Sequence, residues 1–141
     1  MIFKFYFAGW IKRKITRVQG KIKGDVSMPY IEVKLAKQAS RKQERILTEK
    51  LGEAITTVPG KTASDLMISI SSDEHIYKNG EFLEYGAYVG AVFKTDVTKA
   101  DCEKFNEAIF KVLEEDLKVP RENIYTTFRY CDSFGSHGKF A

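Results

Sequence analysis

The chain has 141 residues, 43% hydrophobic and 30% charged, which is the composition of a globular domain and excludes a disordered or fibrous protein. Its net charge of +4 is unevenly distributed, because residues 1–27 contain seven lysines and arginines and one acidic residue. Residues 28–141 therefore carry a net charge of −2, which argues against nucleic-acid binding by that part. The two cysteines lack the spacing of a zinc site or a redox motif and suit a reducing compartment.

Residues 1–27 differ in composition from the rest of the chain. Residues 1–11 are apolar and aromatic, and three basic residues follow them. A secretory signal has the opposite order and a longer apolar run, and this run is also too short to span a bilayer. Two interpretations stay open: a peripheral membrane anchor, since aromatic residues beside cations suit an interface, or a translated leader.

The leader interpretation is favoured, with Met28 as the start of translation. Lys23–Asp25 can be encoded by AAA-GGA-GAT, which contains a bacterial ribosome-binding sequence a few codons before Met28, although other codons encode the same residues. Removal of Met28 would leave Pro29 with a free secondary amine. We therefore expect residues 1–27 to be an extension, leader or disordered, and residues 28–141 to form one domain.

The first half of this domain predicts a strand, a helix and a second strand. Tyr30–Leu35 alternates between polar and apolar residues, which is typical of a half-buried strand. Ser40 with Gln43 forms a capping box at the start of a helix, and Pro59-Gly60 ends it. The apolar segment Leu66–Ile70 is the second predicted strand.

The second half repeats this order after a hairpin. Tyr77–Phe82 contains an Asn-Gly dipeptide, the strongest short-range hairpin signal. Residues 86–94 predict a long, largely buried strand, and Thr98 with Asp101 caps a second helix. Ile124–Tyr130 is the last long strand, and a small, polar tail follows.

The two halves form a weak internal repeat of a β-α-β unit. Right-handed crossovers place both helices on one face of a four-stranded mixed sheet, which is a two-layer α+β fold. The strand at residues 86–94 is apolar on both sides, so the helix-free face of the sheet needs a cover. We therefore expect the chain to form oligomers through its sheet.

The chain contains several short motifs whose order and spacing resemble those of the tautomerase superfamily, in the branch of macrophage migration inhibitory factor (MIF). The motifs cover residues 28–141 and are Met28-Pro29, Gly60-Lys61, Val89-Gly90, Pro120 with Ile124-Tyr125, and a glycine-rich tail ending in Phe140-Ala141. The resemblance implies a homotrimer whose sheets line a central barrel, with active sites between neighbouring subunits. It also implies a cofactor-independent isomerase of the phenylpyruvate or dopachrome tautomerase type, acting on phenylpyruvate-like 2-oxo acids.

Pro29 is the general base that the resemblance implies. An α-amino group has an ordinary pKa only slightly above neutrality, and burial or a nearby cation lowers the pKa of an amine further. A free Pro29 nitrogen could therefore be neutral near pH 7, where a general base is most effective. The structural alternative is a proline that only begins a strand. Inside a peptide bond, the same nitrogen has no basic lone pair.

The resemblance assigns substrate-binding roles to five further residues. Lys61 would pair with the substrate carboxylate and help to depress the pKa of Pro29, although a lysine near a helix end also complements the helix dipole. Val89 would form an apolar wall. Tyr125, contributed by the neighbouring subunit, would bind the enol oxygen, pack on the aromatic substrate or serve packing alone. Thr127 stands where the family has asparagine, and Phe134 could replace a missing tryptophan.

These departures affect the expected substrate preference more than the expected reaction class. The thiol pair of the cytokine-type members is also absent, so no oxidoreductase side activity is expected. His75 and His137 lack metal-ligand spacing and are expected at the surface, and no metal site is expected.

Two alternative functions stay open. A MIF-like, cytokine-mimicking binding protein would act through its surface. An N-terminally blocked pseudoenzyme would keep residues 1–14 as a membrane contact and would have no tautomerase activity. The expected location is the cytoplasm, with release from the cell without a signal peptide as a further option in this family.

Overall fold

The strands and helices follow the predicted order in the computed structural model, which describes residues 29–94 and 97–140. The predictions of a leader, of a membrane contact and of translation from Met28 lie outside the described residues. In chain order the elements are β1 (Tyr30–Leu35), α1 (Arg41–Ala54), β2 (Met67–Ser71), β3 (Tyr77–Lys78), β4 (Glu81–Phe82), β5 (Ala87–Phe93), α2 (Lys99–Leu117), β6 (Ile124–Tyr130), β7 (Gly135–Ser136) and β8 (Lys139–Phe140). Within these described residues, no helix is long and apolar enough to cross a membrane.

Both helices begin at the predicted capping boxes. The N–H of Gln43 donates to Ser40 Oγ at 3.0 Å, and the N–H of Ser40 donates to Gln43 Oε1 at 3.0 Å. Thr98 and Asp101 make the same reciprocal pair at the start of α2. These bonds satisfy backbone donors that have no partner inside a helix, and a good cap contributes about 1 kcal/mol to stability.

The main sheet has the strand order β2-β1-β5-β6. β1 is parallel to β2 and antiparallel to β5, and β5 is parallel to β6. Each β-α-β unit thus supplies one parallel pair, and the antiparallel β1–β5 pair joins the two units. The predicted four-stranded mixed sheet with two helices, an α+β fold, is confirmed.

The hydrophobic core lies between the sheet and the two helices. Alternate residues of β1 and β5 point into it, and the helices contribute residues spaced by about one turn. Its largest fully buried side chains include Ile31, Leu35, Leu47, Leu51, Ile55, Phe93, Phe105, Ile109 and Leu113. Both helices therefore cover the same face of the sheet, as the crossover rule predicts.

The other face of the sheet carries no helix, and the strand register arranges its side chains in three rows. The rows are Met67–Tyr30–Val92–Arg129, Ser69–Glu32–Gly90–Thr127 and Ser71–Lys34–Tyr88–Tyr125. Met67 and Tyr125 at opposite corners are 67% and 65% exposed. The middle of this open face is more polar than expected, because Glu32 and Lys34 form an ion pair at 3.8 Å there.

Two short hairpins lie outside the main sheet. Asn79 and Gly80 have φ values of 55° and 78°, as the predicted hairpin turn between β3 and β4 requires. A second hairpin, β7–β8, turns through His137 and Gly138, whose φ values are 52° and 74°. The sequence did not predict this second hairpin, because its turn has histidine in place of the usual asparagine or aspartate.

Candidate active site

Pro29 is buried at the start of β1 and lines a cleft of about 560 Å³. The N–H of Met67 donates to the Pro29 carbonyl at 3.1 Å, which fixes the residue just before β1 against the start of β2. The cleft is formed by the start of β1, the turn before β2, the end of β5 and the tail. Its lining consists of Pro29, Tyr30, Ser64, Asp65, Leu66, Met67, Val92, Phe134, Gly135, Ser136 and His137.

The tail reaches Pro29 because of the way β6 ends. Tyr130, the last residue of β6, pairs with Phe93 at the end of β5, and the N–H of Cys131 donates to the Phe93 carbonyl at 2.8 Å. The antiparallel register places Tyr30 opposite Val92, so the start of β1 lies at the same end of the sheet. The predicted site residue Phe134 therefore lines the same cleft as Pro29.

Lys61 lies at this end of the sheet too, but in a buried position. Its side chain is 4% exposed, and its Nζ lies 5.6 Å from the centre of the Phe93 ring. Burial lowers the pKa of the Lys61 ammonium, and the positive charge of Lys94 adds to this effect. Lys61 is not among the described residues that line the cleft. It is therefore near the Pro29 end of the sheet without facing the cleft mouth.

Val89 does not form the predicted wall of the cleft. It is 1% exposed and belongs to the core under the helices. Val92 lines the cleft instead. The reason is the alternation of a strand, which turns Val89 and Ala91 towards the helices and turns Gly90 and Val92 to the open face.

Tyr125 lies far from the Pro29 cleft of its own chain. It pairs with Tyr88, four residues along β5 from Val92, which corresponds to roughly 13 Å of strand. Its ring is 65% exposed on the open face, where the Nζ of Lys78 lies 5.9 Å from its centre. One chain therefore does not bring Tyr125 and Pro29 together, and a shared site needs a second subunit.

Thr127 is also on the open face, and its hydroxyl is already engaged. Its Oγ1 lies 2.7 Å from the hydroxyl of Tyr88. Gly90 makes this contact possible, because a Cβ at that position would lie 2.7 Å from the same Tyr88 hydroxyl. Of the five predicted substrate-binding residues, only Phe134 shares the described cleft with Pro29.

The cleft contains polar residues that the sequence analysis did not assign to it. His137 is exposed, as expected, but it lines the cleft, and its Nδ1 lies 3.2 Å from Ser136 Oγ. Asp65 lines the cleft from the turn before β2. His75 is exposed elsewhere, with its ring 6.2 Å from that of Phe82. In residues 29–94 and 97–140, no group of three histidine, cysteine or acidic side chains could hold a metal ion.

A second cavity, of about 610 Å³, lies between the start of α2 and β6. Cys102 lines it, and burial raises the pKa of this thiol, so the thiolate is disfavoured at neutral pH. Thr126 and Asn106, two polar residues in its wall, bind each other at 2.7 Å. Among the described residues that line it, this cavity therefore offers no activated nucleophile. Pro29 lines the other cleft.

Comparison with known proteins gives matches only at the level of structure. No family model matches the chain, and no curated protein matches it. MIF2 of Leishmania major is similar with a TM-score of 0.76 at 17% identity, over 82% of this chain and 99% of that one. Pt0534 inactivated by 2-oxo-3-pentynoate has a TM-score of 0.69 at 15% identity, over 77% of this chain and 93% of that one.

A third similar structure is the R7 fused 4-OT wild-type asymmetric trimer. Its TM-score is 0.68 at 19% identity, over 78% of this chain and 94% of that one. All three matches extend over nearly the whole length of the other chain, so the similarity is to a complete fold. The chain therefore has the tautomerase fold of the macrophage migration inhibitory factor type.

Proposed function

We propose that this chain is a cofactor-independent keto–enol tautomerase of phenylpyruvate-like 2-oxo acids, with Pro29 as its general base once Met28 has been removed. The observation that carries the proposal is the position of Pro29, buried immediately before a central strand and lining a cleft of about 560 Å³. A group that takes a proton from carbon needs a site that limits access of water.

The reaction needs one base and no redox partner. The lone pair of a neutral Pro29 nitrogen takes a proton from the carbon next to the ketone. The electron pair of that C–H bond becomes the C=C bond of the enol, and the carbonyl electrons move to the oxygen, which takes up a proton. Pro29 then releases its own proton, so no atom or electron is gained or lost overall.

The surroundings of Pro29 favour its neutral form. Burial of Pro29 disfavours a charged ammonium there, and a cation on Lys61, at the same end of the sheet, would add to this effect. Phe134 and Val92 give the cleft apolar side chains that suit an aromatic substrate. The similarity to a structure inactivated by a 2-oxo acid, 2-oxo-3-pentynoate, supports the same class of substrate.

We also propose a homotrimer. The open face of the sheet carries exposed Met67 and Tyr125 at its corners, and one of the similar structures is a trimer. In a trimer, Tyr125 of one subunit could approach the Pro29 cleft of the next, which one chain alone does not achieve.

The test begins with the intact mass of the protein expressed from the whole sequence. A mass that corresponds to residues 29–141 supports the proposal, and retention of residues 1–28 contradicts it. The enolisation of phenylpyruvate is then measured by the absorbance of the enol. We expect Pro29→Gly to lower kcat at least about a hundredfold, within the range for loss of a general base, with an unchanged sedimentation coefficient. Full activity of that variant would exclude Pro29 as the base.

A further inference from the structure

We infer that His137 binds the substrate carboxylate at the mouth of the Pro29 cleft, an inference that rests on the proposed tautomerase function. A carboxylate that leaves water for a protein cleft needs a charged or hydrogen-bonding partner. Lys61 was the predicted partner, but it is 4% exposed and is not among the described residues of the cleft lining. Apart from a free Pro29 amine, His137 is the described lining residue that can carry a positive charge near neutral pH.

The hairpin of the tail presents His137 at the cleft. His137 and Gly138 form the turn between β7 and β8, and both have the left-handed conformation that such a tight turn requires. Histidine tolerates this conformation better than β-branched residues do. The Nδ1 atom lies 3.2 Å from Ser136 Oγ, and the described residues give Nε2 no hydrogen-bond partner. The Nε2 atom is therefore available to donate to a substrate carboxylate when the ring is protonated.

The charges around His137 make this binding sensitive to pH. Asp65 and the phenol of Tyr30 line the same cleft, and Lys139 faces Ser136 across the hairpin. A protonated His137 offsets the negative charge of Asp65 in the cleft lining. A neutral His137 leaves the charge of Asp65 in that lining without this offset, which disfavours an anion. The affinity for a 2-oxo acid should therefore fall as His137 loses its proton.

The kinetic experiment compares phenylpyruvate with its methyl ester, which lacks the carboxylate charge. The protein expressed from the whole sequence is assayed between pH 5 and pH 8. We expect His137→Gln to raise the KM for phenylpyruvate about tenfold at the acidic end, the loss expected for a charge-assisted hydrogen bond, and to change kcat little. The KM for the ester should stay the same in both proteins. Lys42→Gln, which removes a positive charge on α1 outside the described cleft lining, is the matched control and should keep the wild-type profile.

A binding measurement keeps the inference testable even if the protein proves inactive. The ring proton of His137 is followed by NMR during titration with pH, with and without 3-phenylpropanoate as an unreactive carboxylate. Bound carboxylate should raise the pKa of His137, and the signal should be absent in His137→Gln. An unchanged pKa, or an equal rise of KM for the acid and the ester, would overturn the inference. If bound carboxylate raises the pKa of His137 as expected but the protein has no turnover, the result would contradict the proposed tautomerase function and leave the inference about His137 intact.

Discussion

At the scale of single residues, one contact on the open face depends on three positions, Tyr88, Gly90 and Thr127. The ring of Tyr88 lies over Gly90 and its hydroxyl lies 2.7 Å from Thr127 Oγ1. A Cβ at Gly90 would meet the Tyr88 hydroxyl at 2.7 Å and its ring carbons at 3.2 and 3.3 Å. The absence of a side chain at Gly90 therefore sets the position of Tyr88.

We expect Gly90→Ala to lower the free energy of unfolding by about 1–3 kcal/mol, because the Tyr88 ring must move and its bond to Thr127 is lost. Gly52→Ala is the matched control, since a Cβ there would meet only the Cβ of Ala63 at an ordinary 3.5 Å. Inside α1 that change should raise the free energy of unfolding by up to about 1 kcal/mol. Urea unfolding of both variants checks the prediction. Equal changes in the free energy of unfolding for the two variants would contradict it.

At the scale of elements, Arg121 fixes the turn before β6 to α2. Its guanidinium donates to Glu107 and to Glu114, with the shortest distance to each at 2.9 Å, and it lies 5.1 Å from the centre of the Phe110 ring. The two glutamates are two turns apart on α2, so one planar cation joins both. The hydrogen bond from Arg121 lowers the pKa of Glu107.

We expect Arg121→Lys to lower the melting temperature, because an ammonium cannot make the same paired hydrogen bonds to both carboxylates. A group with a lowered pKa in the folded state contributes stability above its ordinary pKa and loses it as pH falls. The difference in melting temperature between Arg121→Lys and the wild type should therefore shrink at acidic pH. Lys50→Gln, which removes a single exposed pair with Asp116, should have a smaller effect. A difference in melting temperature that is the same at all pH values would argue against the paired hydrogen bonds of Arg121.

At the scale of the whole molecule, the proposed site residues fall into two groups. Pro29, Val92 and Phe134 share one cleft. Tyr125 and Thr127 lie on the open face, paired with strand positions four and two residues from Val92. A site that uses both groups must lie between two chains.

We expect two inactive variants to restore each other's activity when they are combined in one trimer. Pro29→Gly and Tyr125→Ala should each lose most activity as pure proteins. After co-expression, some trimers place an intact Pro29 next to an intact Tyr125, so part of the activity should return. Enolisation of phenylpyruvate measures this, and sedimentation shows whether each variant still assembles. Full activity of pure Tyr125→Ala would remove Tyr125 from the site, and no recovery in mixed trimers would contradict a shared site.

Local signals predicted the fold well and the site only in part. The capping residues Ser40 and Thr98 and the Asn79-Gly80 turn act within a few residues, so the sequence was sufficient for them. Val89 was placed in the cleft because the resemblance gives the strand but not which side of it faces the site. His137 was missed because its position depends on where the tail leaves β6.

The internal repeat has a chemical consequence for Pro29. β1 and β5 begin the two β-α-β units and are equivalent in the sheet, but they are not equivalent in covalent terms. The start of β5 follows β4 through residues 83–86, so its nitrogen is always an amide. Only the first unit can begin with an amine, and it can do so only when the chain is cut in front of Pro29. The internal repeat therefore supplies two equivalent strands but at most one amine, and the proposed activity depends on cleavage of a single peptide bond, the one between Met28 and Pro29.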